Sequence, residues 1–120
     1  MDKPTQGQER RVWEWLGWEY KVTPDFEGYV LDKPNQPVQV KRQLAIDFNT
    51  LIKYTFPKLK ESKLHIQFTV DFEMPDFGKP ALYYWSILKG SHRLLAVTEG
   101  DDFALGLFWT IYKAIEELEK

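Results

Sequence analysis

The chain has 120 residues, a formal net charge of −2, no cysteine, and aromatic side chains at 16% of its positions. This length predicts one domain over residues 1–120, which can bury a core without disulfides or a structural metal. The charge balance argues against a binder of duplex nucleic acid, and the lack of thiols excludes a disulfide framework. No apolar stretch is long enough for a membrane span and no signal segment opens the chain. The lack of cysteine suits a reducing cytoplasm, which is the expected location.

The first part of the chain carries signals for a helix, two extended segments and a loop. Thr5 followed by Gln8 is typical of a capping box and Gly17 of a C-terminal stop, which predicts a short helix over about residues 6–16. Two extended segments and a proline-containing loop are then predicted, in chain order, at residues 18–22, 26–31 and 32–39.

A second helix is predicted from about Val40, where the spacing of apolar residues becomes helical. Its apolar stripe includes Leu44, Phe48 and Leu51. Pro57 lacks the backbone N–H that a helix interior uses, so this helix is expected to end near residue 54 or 55.

The next segments have the patterns of β-strands. Apolar and polar residues alternate strictly from Leu64 to Phe72, which predicts a strand with one apolar and one wet face. Residues 82–88 and 93–98 favour strands, and Gly90-Ser91 predicts a two-residue hairpin turn between them. That turn would place three pairs of residues opposite each other: Lys89 and His92, Ile87 and Leu94, and Trp85 and Ala96.

A final helix is predicted after Asp101 and Asp102, which suit the N-terminal end of a helix. Its wide apolar stripe includes Leu107, Phe108 and Ile111. The predicted fold class is α+β, with a mainly antiparallel sheet of about three to five strands packed with two or three helices. The element order is helix, loop, helix, strand, hairpin, helix.

Three segments carry a resemblance to a known family: residues 15–18 (WLGW), 44–48 (LAIDF) and 104–115 (ALGLFWTIYKAI). In this order they resemble the phage ABA sandwich domain family, small proteins of bacteriophages and prophages. The resemblance covers nearly the whole chain and implies a phage-encoded protein in the cytoplasm of a host bacterium. It implies no catalytic residues. Small phage proteins of this kind often counter host defence, an analogy that says nothing about particular residues.

Aromatic and basic residues are the candidate ligand-binding site. Ring stacking together with charge neutralisation is what a nucleotide needs. The candidates are Tyr83, Tyr84, Trp85, Lys89, His92 and Arg93 around the predicted hairpin, and Lys41 and Arg42 at the predicted start of the second helix. The alternative interpretation places these rings in the core and the basic groups in water.

A second group of rings is the candidate interface, and it consists of Trp13, Trp15, Trp18 and Tyr20. The helical spacing predicts that Trp13 faces inward, whereas Trp15 lies on another side and would be exposed in a monomer. Because exposed rings beside one another mark interfaces, a homo-oligomer is expected.

No motif for nucleophilic catalysis or phosphate binding occurs, and neither a cofactor nor a metal is predicted. An alternative is metal-assisted nucleotide hydrolysis at Asp71, Glu73 and Asp76. Asp71 and Glu73 share the polar face of the strand with His65, and Asp76 follows. The leading interpretation is a non-enzymatic phage protein that counters bacterial immunity by sequestering a nucleotide second messenger. The alternatives are an interaction module that inhibits a host defence protein and a phage accessory protein of another kind.

Overall fold

The computed structural model describes residues 2–71, 82–90, 93–100 and 102–120, with side chains left out at 69–71, 82–83 and 93–100. The described helices are α1 (Gln6–Trp15), α2 (Phe48–Glu61) and α3 (Phe103–Leu118). The described strands are β1 (Glu19–Thr23), β2 (Phe26–Leu31), β3 (Gln39–Lys41), β4 (Leu64–Asp71), β5 (Leu82–Lys89) and β6 (Arg93–Gly100).

The described strands form two separate antiparallel sheets, so the predicted α+β class is confirmed. The N-terminal sheet has the order β1-β2-β3, and the C-terminal sheet has the order β4-β5-β6. The strands are therefore divided between two sheets rather than joined in one. Each sheet is built around a hairpin of neighbouring segments, and α2 separates the two sheets along the chain.

Both ends of α1 follow the predicted capping pattern. The Gln8 backbone N–H donates to the Thr5 hydroxyl at 3.2 Å, and the Thr5 N–H donates to the Gln8 side chain at 2.9 Å. At the other end Gly17 has a φ of 111°, which favours glycine. The Trp18 N–H donates to the Trp13 carbonyl at 3.0 Å, and this bond turns the chain directly from α1 into β1.

The second helix differs from its prediction at both ends. Residues 39–41 pair with β2 as a strand, and α2 begins only after Asp47, whose side chain accepts from the Thr50 N–H at 2.8 Å. The helix also continues past Pro57 to Glu61. Its buried stripe extends across the proline to Leu59, so packing outweighs the lost hydrogen bond.

The β5–β6 hairpin differs from the predicted register. Lys89 pairs with Arg93, so three residues rather than two separate the strands, and the two-residue turn is wrong. Further along, Leu88 pairs with Leu94 whereas Ile87 pairs with Ala96, which indicates a β-bulge. Ser91 and His92 of the predicted turn lie outside the described residues.

The core lies between the C-terminal sheet and the helices. Helix α3 packs on β5 and β6, and both α1 and α2 pack against α3. Leu107, Phe108 and Ile111 of α3 are fully buried. Asp102 caps α3 as predicted, because its side chain accepts from the Leu105 N–H at 3.0 Å. None of the described helices has the length and apolar character needed to cross a lipid bilayer.

The N-terminal sheet lies against α1 through β1. Tyr29 and Leu31 of β2 join Trp18 in the buried core. Position 28 requires glycine because the backbone of residues 41 and 42 passes close to it. A Cβ atom there would lie 2.6 Å from the Lys41 carbonyl oxygen and 2.8 Å from the Arg42 Cα. This contact brings the chain after β3 across β2 and fixes where Arg42 leaves the sheet.

Candidate functional site

A cleft of about 670 Å³ lies between α1 and the N-terminal sheet. The polar side chains that carry its chemistry are Glu9, Arg10, Tyr20, Glu27, Tyr29 and Arg42. We call this site the α1 cleft. Its volume is within the range of small-molecule sites, and its walls carry rings together with charges of both signs.

The two tyrosines of the α1 cleft are brought together by the β1–β2 hairpin. Tyr20 and Tyr29 are directly paired in the register of the two strands. Their ring centroids lie 5.2 Å apart with an interplanar angle of 69°, an edge-to-face arrangement. Burial raises the pKa of the Tyr29 hydroxyl. The pair therefore forms a firm aromatic wall with hydroxyl groups that stay protonated at neutral pH.

Charged groups surround this aromatic wall. The Arg10 guanidinium lies 3.8 Å from the centroid of the Tyr20 ring, which is a close cation–π contact. The Tyr20 hydroxyl donates a hydrogen bond to the Glu27 carboxylate, and this bond is the main cause of a raised pKa at Tyr20. Burial likewise raises the pKa of the Glu9 carboxyl. Arg10, Tyr20 and Glu27 thus form one connected polar row.

Arg42 enters the same cleft from the segment that follows β3. In the described part of the chain its guanidinium has neither an ion-pair nor a hydrogen-bond partner. A guanidinium presents five donors in a planar fork, which matches carboxylate and phosphate oxygens. The α1 cleft can therefore offer an uncommitted cation to an anionic group of a ligand.

The predicted hairpin site is not assembled by the described residues. Trp85 is only 4% exposed, and its ring packs 4.6 Å from that of Phe68 and 5.1 Å from that of Phe103, measured between centroids. Tyr84 is partly buried and, as the neighbour of Trp85 in β5, lies on the other face of the sheet. Lys89 is exposed and lies about 13 Å from Trp85 along β5. Trp85 is therefore a core residue rather than a ligand-stacking ring.

The remaining candidates near the hairpin stay predictions. His92 lies outside the described residues, and only the backbone positions of Tyr83 and Arg93 are described. Tyr83 pairs with Gly100 at one end of the hairpin, and Arg93 pairs with Lys89 at the other. About seven residues of strand therefore separate Tyr83 from Arg93 along the sheet.

Lys41 and Arg42 do not begin a helix, which corrects their predicted placement. Lys41 ends β3, where it pairs with Tyr29, because residues 39–41 complete the N-terminal sheet. Arg42 follows directly and lines the α1 cleft, whereas Lys41 is exposed and does not line it. The structure thus places Arg42 in the same cleft as Tyr20, a residue predicted to belong to an interface.

The N-terminal rings mostly pack inside the subunit. Trp13 and Trp18 are 0% and 2% exposed, and their centroids lie 6.5 Å and 5.3 Å from that of Tyr54 on α2. These two rings cannot form an exposed interface, because the turn at Gly17 folds Trp18 back beneath α1. Trp15 is partly buried, and the Lys58 ammonium lies 5.3 Å from the centroid of its ring.

Sequence reasoning missed Glu9, Arg10, Glu27 and Tyr29. A signal for two of them exists in the hairpin: a two-residue turn at Pro24-Asp25 sets Tyr20 opposite Tyr29 and Val22 opposite Glu27. No comparable signal marks Arg10, since its contact with Tyr20 depends on how α1 packs against β1.

The described residues supply no set of ligands for the alternative metal site. Among the residues with described positions, no group of three or more His, Asp or Glu side chains lies close enough together to hold a metal ion. Glu73 and Asp76, two of the predicted carboxylates, fall outside the described ranges, and the Asp71 side chain is likewise not described.

Comparison of the chain with models of known protein families, with curated proteins and with solved structures finds no match. The resemblance to the phage ABA sandwich domain family therefore stays a prediction from the sequence. The features that bear on function are therefore the geometry of the α1 cleft and the exposed surfaces of the fold.

Proposed function

We propose that this chain is a non-enzymatic, phage-encoded binding protein that counters bacterial immunity by sequestering a nucleotide second messenger. The observation that carries the proposal is that the exposed, uncommitted Arg42 side chain lines the same cleft as the Tyr20 ring and the Arg10 guanidinium stacked on it. Phage origin and host defence come from the sequence resemblance, whereas the ligand class comes from the chemistry of the cleft.

The chemistry of the cleft matches the two parts of a nucleotide. Arg42 suits a phosphate, which it can bind through two parallel hydrogen bonds. The Tyr20 ring and the Arg10 guanidinium stacked on it offer flat surfaces for a base, and the buried Tyr29 ring supports Tyr20 edge to face. Glu9 and Glu27 can accept hydrogen bonds from base or sugar donors, and they disfavour ligands that carry negative charge along their whole length.

A binding role without turnover is consistent with the polar row in the cleft. The Tyr20 hydroxyl is engaged with Glu27, and the Arg10 guanidinium is stacked on the same ring. Neither group is paired with an activated nucleophile. Sequestration needs affinity and stoichiometric amounts of protein, and it needs no group that moves a proton.

The proposal predicts that a nucleotide raises the melting temperature of the purified protein. A ligand at 100 times its dissociation constant adds about 2.7 kcal/mol to the free energy of unfolding. The measurement is a thermal-shift series with cyclic mono- and dinucleotides and with ADP-ribose-type nucleotides, followed by calorimetry. The ligand should be recovered chemically unchanged after heating. If no nucleotide in the panel gives either a shift or a heat, the proposal fails.

The adjacent residues Arg42 and Lys41 provide a matched pair of variants. Arg42→Ala is expected to weaken nucleotide binding about 10- to 100-fold, because a charge-assisted hydrogen bond to phosphate is lost. Lys41→Ala removes the same charge one residue away, outside the α1 cleft, and should leave the affinity within about twofold. Equal losses from both variants would mean that only the overall charge matters, which contradicts binding in the cleft.

A second candidate function is inhibition of a host defence protein through a protein interface. It is favoured by the exposed valines Val22, Val38 and Val40 in and beside the N-terminal sheet. Pull-down from infected bacteria distinguishes the two candidates. An inhibitor should bring down one host protein, and Val22→Lys should reduce that capture, whereas a nucleotide sponge should bring down none.

A further inference from the structure

Strand β4 forms an edge of the C-terminal sheet. It pairs with β5 on one side, and no described strand lies on its other side. The strand is eight residues long and offers backbone N–H and C=O groups along that edge. A long edge strand of this kind readily pairs with another extended chain unless it is covered or charged.

An apolar groove runs beside this edge. Its volume is about 550 Å³, and its apolar lining comes from Phe56 and Leu59 of α2 and from Leu64 and Ile66 of β4. We call it the β4 groove. Phe56 is 50% exposed, although a phenylalanine on a helix normally packs inward. Bare apolar surface beside a free strand edge indicates a site where a further strand can pack.

The two ends of this surface carry opposite charges. Lys60 and Lys63 flank the β4 groove where α2 meets β4, and together with Lys58 they outnumber the one carboxylate of this stretch, Glu61. At the other end of α2, about 20 Å away, Asp47 caps the helix beside Phe48. The Phe48 ring packs 4.6 Å from that of Phe103, measured between centroids, and Asp102 precedes Phe103 as the cap of α3. One end is thus basic and the other acidic.

We infer that a second copy of this chain covers the β4 edge, with the two β4 strands antiparallel across a two-fold axis. A two-fold axis reverses the direction of the second strand, so it brings the basic end of each copy over the acidic end of the other. The incoming strand also brings the partly exposed Ile66 and the exposed Phe68 to the shared edge as apolar cross-strand neighbours. The result is a continuous six-stranded sheet shared by two subunits.

The oligomeric state in solution tests this inference. Sedimentation over a range of concentrations should show a monomer–dimer equilibrium. Phe56→Lys should raise the dimer dissociation constant by roughly tenfold or more, because it places a third positive charge in the groove and removes apolar contact. Val22→Lys makes the same exchange at a 68% exposed position of β1 and should leave the equilibrium unchanged.

A single introduced cysteine tests the position of the axis. The natural chain has no cysteine, so any disulfide-linked dimer reports only on the introduced residue. Gln67 lies near the centre of β4, where an antiparallel two-fold pair brings equivalent residues together. Gln67→Cys should therefore cross-link under mild oxidation, and Val22→Cys should not. High salt should slow the cross-linking, since it screens the opposite charges at the two ends.

Three results would overturn the inference. The first is a monomer at all concentrations, together with no excess cross-linking of Gln67→Cys over Val22→Cys. The second is a dimer that Phe56→Lys does not weaken, which would place the interface elsewhere. The third is a monomer that binds an acidic strand-forming peptide at the β4 groove, because the natural occupant would then be a foreign segment and not a second copy.

Discussion

Glu9 shows how one residue couples the α1 cleft to the stability of the fold. Burial raises the pKa of its carboxyl, so the folded protein holds this proton to higher pH than the unfolded chain does. The resulting stabilisation is complete below the unfolded pKa and is lost as pH rises through the folded pKa. Glu9→Gln should therefore raise the melting temperature above that of the parent. The difference between the two should grow as the pH rises from about 4 to about 7.

The control for this pH series is Gln36→Ala, which changes an exposed residue that has no titratable group. Its difference from the parent involves no ionisation and should stay nearly constant across the series. A Glu9→Gln difference that shrinks as the pH rises would contradict the raised pKa, because it would mean that ionisation of Glu9 stabilises the folded state.

Gly28 couples the N-terminal sheet to the position of Arg42. Gly28→Ala would place a Cβ atom 2.6 Å from the Lys41 carbonyl oxygen, so β3 must shift, at a cost of about 1–3 kcal/mol in the free energy of unfolding. The same change at Gly7, inside α1, meets only ordinary contacts and should stabilise the protein by about 0.5 kcal/mol. Denaturant unfolding of both variants gives the comparison, and equal effects would refute the close approach.

At the residue scale, local signals were predictable and long-range contacts were not. Thr5, Gln8 and Gly17 act on neighbours within one turn, so the sequence alone shows the caps of α1. Arg10 and Arg42 lie 32 positions apart and share a cleft only because β1 packs on α1 while β2 pairs with both β1 and β3. Composition shows that arginines are present but carries no information about which of them meet.

At the element scale, Pro57 tests whether the tertiary packing of α2 outweighs the low preference of proline for a helix interior. The proline leaves the Lys53 carbonyl without its intrahelical donor, inside a helix whose buried stripe continues to Leu59. Pro57→Ala should restore that bond and raise the free energy of unfolding by about 2 kcal/mol, after allowance for the greater freedom of the unfolded chain.

Pro24→Ala is the matched control for this helix variant. Pro24 lies in the turn between β1 and β2, where a fixed φ is favourable, so its loss should lower the free energy of unfolding by about 0.4–1 kcal/mol. Chemical denaturation of both variants supplies the measurement. Destabilisation by Pro57→Ala would mean that α2 does not continue as a helix through this position.

The helices and strands whose ends and apolar pattern are visible in the sequence agree with their predictions. The differences arise where pairing between distant segments determines the secondary structure. The strand pattern from Leu64 and the apolar stripe of α3 lie close to their predicted bounds. Residues 39–41 are too few to show an alternating strand pattern in the sequence. They form a strand only because the edge of β2 is available for pairing. The bulge opposite Ile87 likewise leaves no mark in composition or spacing.

At the scale of the whole molecule, the division into two sheets produces an elongated shape. The radius of gyration is 16.0 Å, compared with about 13.6 Å for a compact domain of this length. The principal extents are 55, 33 and 27 Å. The abundance of aromatic residues predicted leftover rings at the surface. The buried indoles include Trp13, Trp18 and Trp85, whereas the exposed rings among the described side chains include the phenylalanines Phe48, Phe56 and Phe68 of α2 and β4.

The short turn at Gly17 has a consequence for how fast a ligand can be captured. It joins the end of α1 to β1 through three residues, the last of which is Trp18, whose ring packs edge to face against that of Tyr54. The two sides of the α1 cleft therefore cannot swing apart without breaking the core. If the chain binds a nucleotide as proposed, the α1 and β1 walls of the cleft are in place before the ligand arrives, so the rate of capture should be governed by diffusion and orientation.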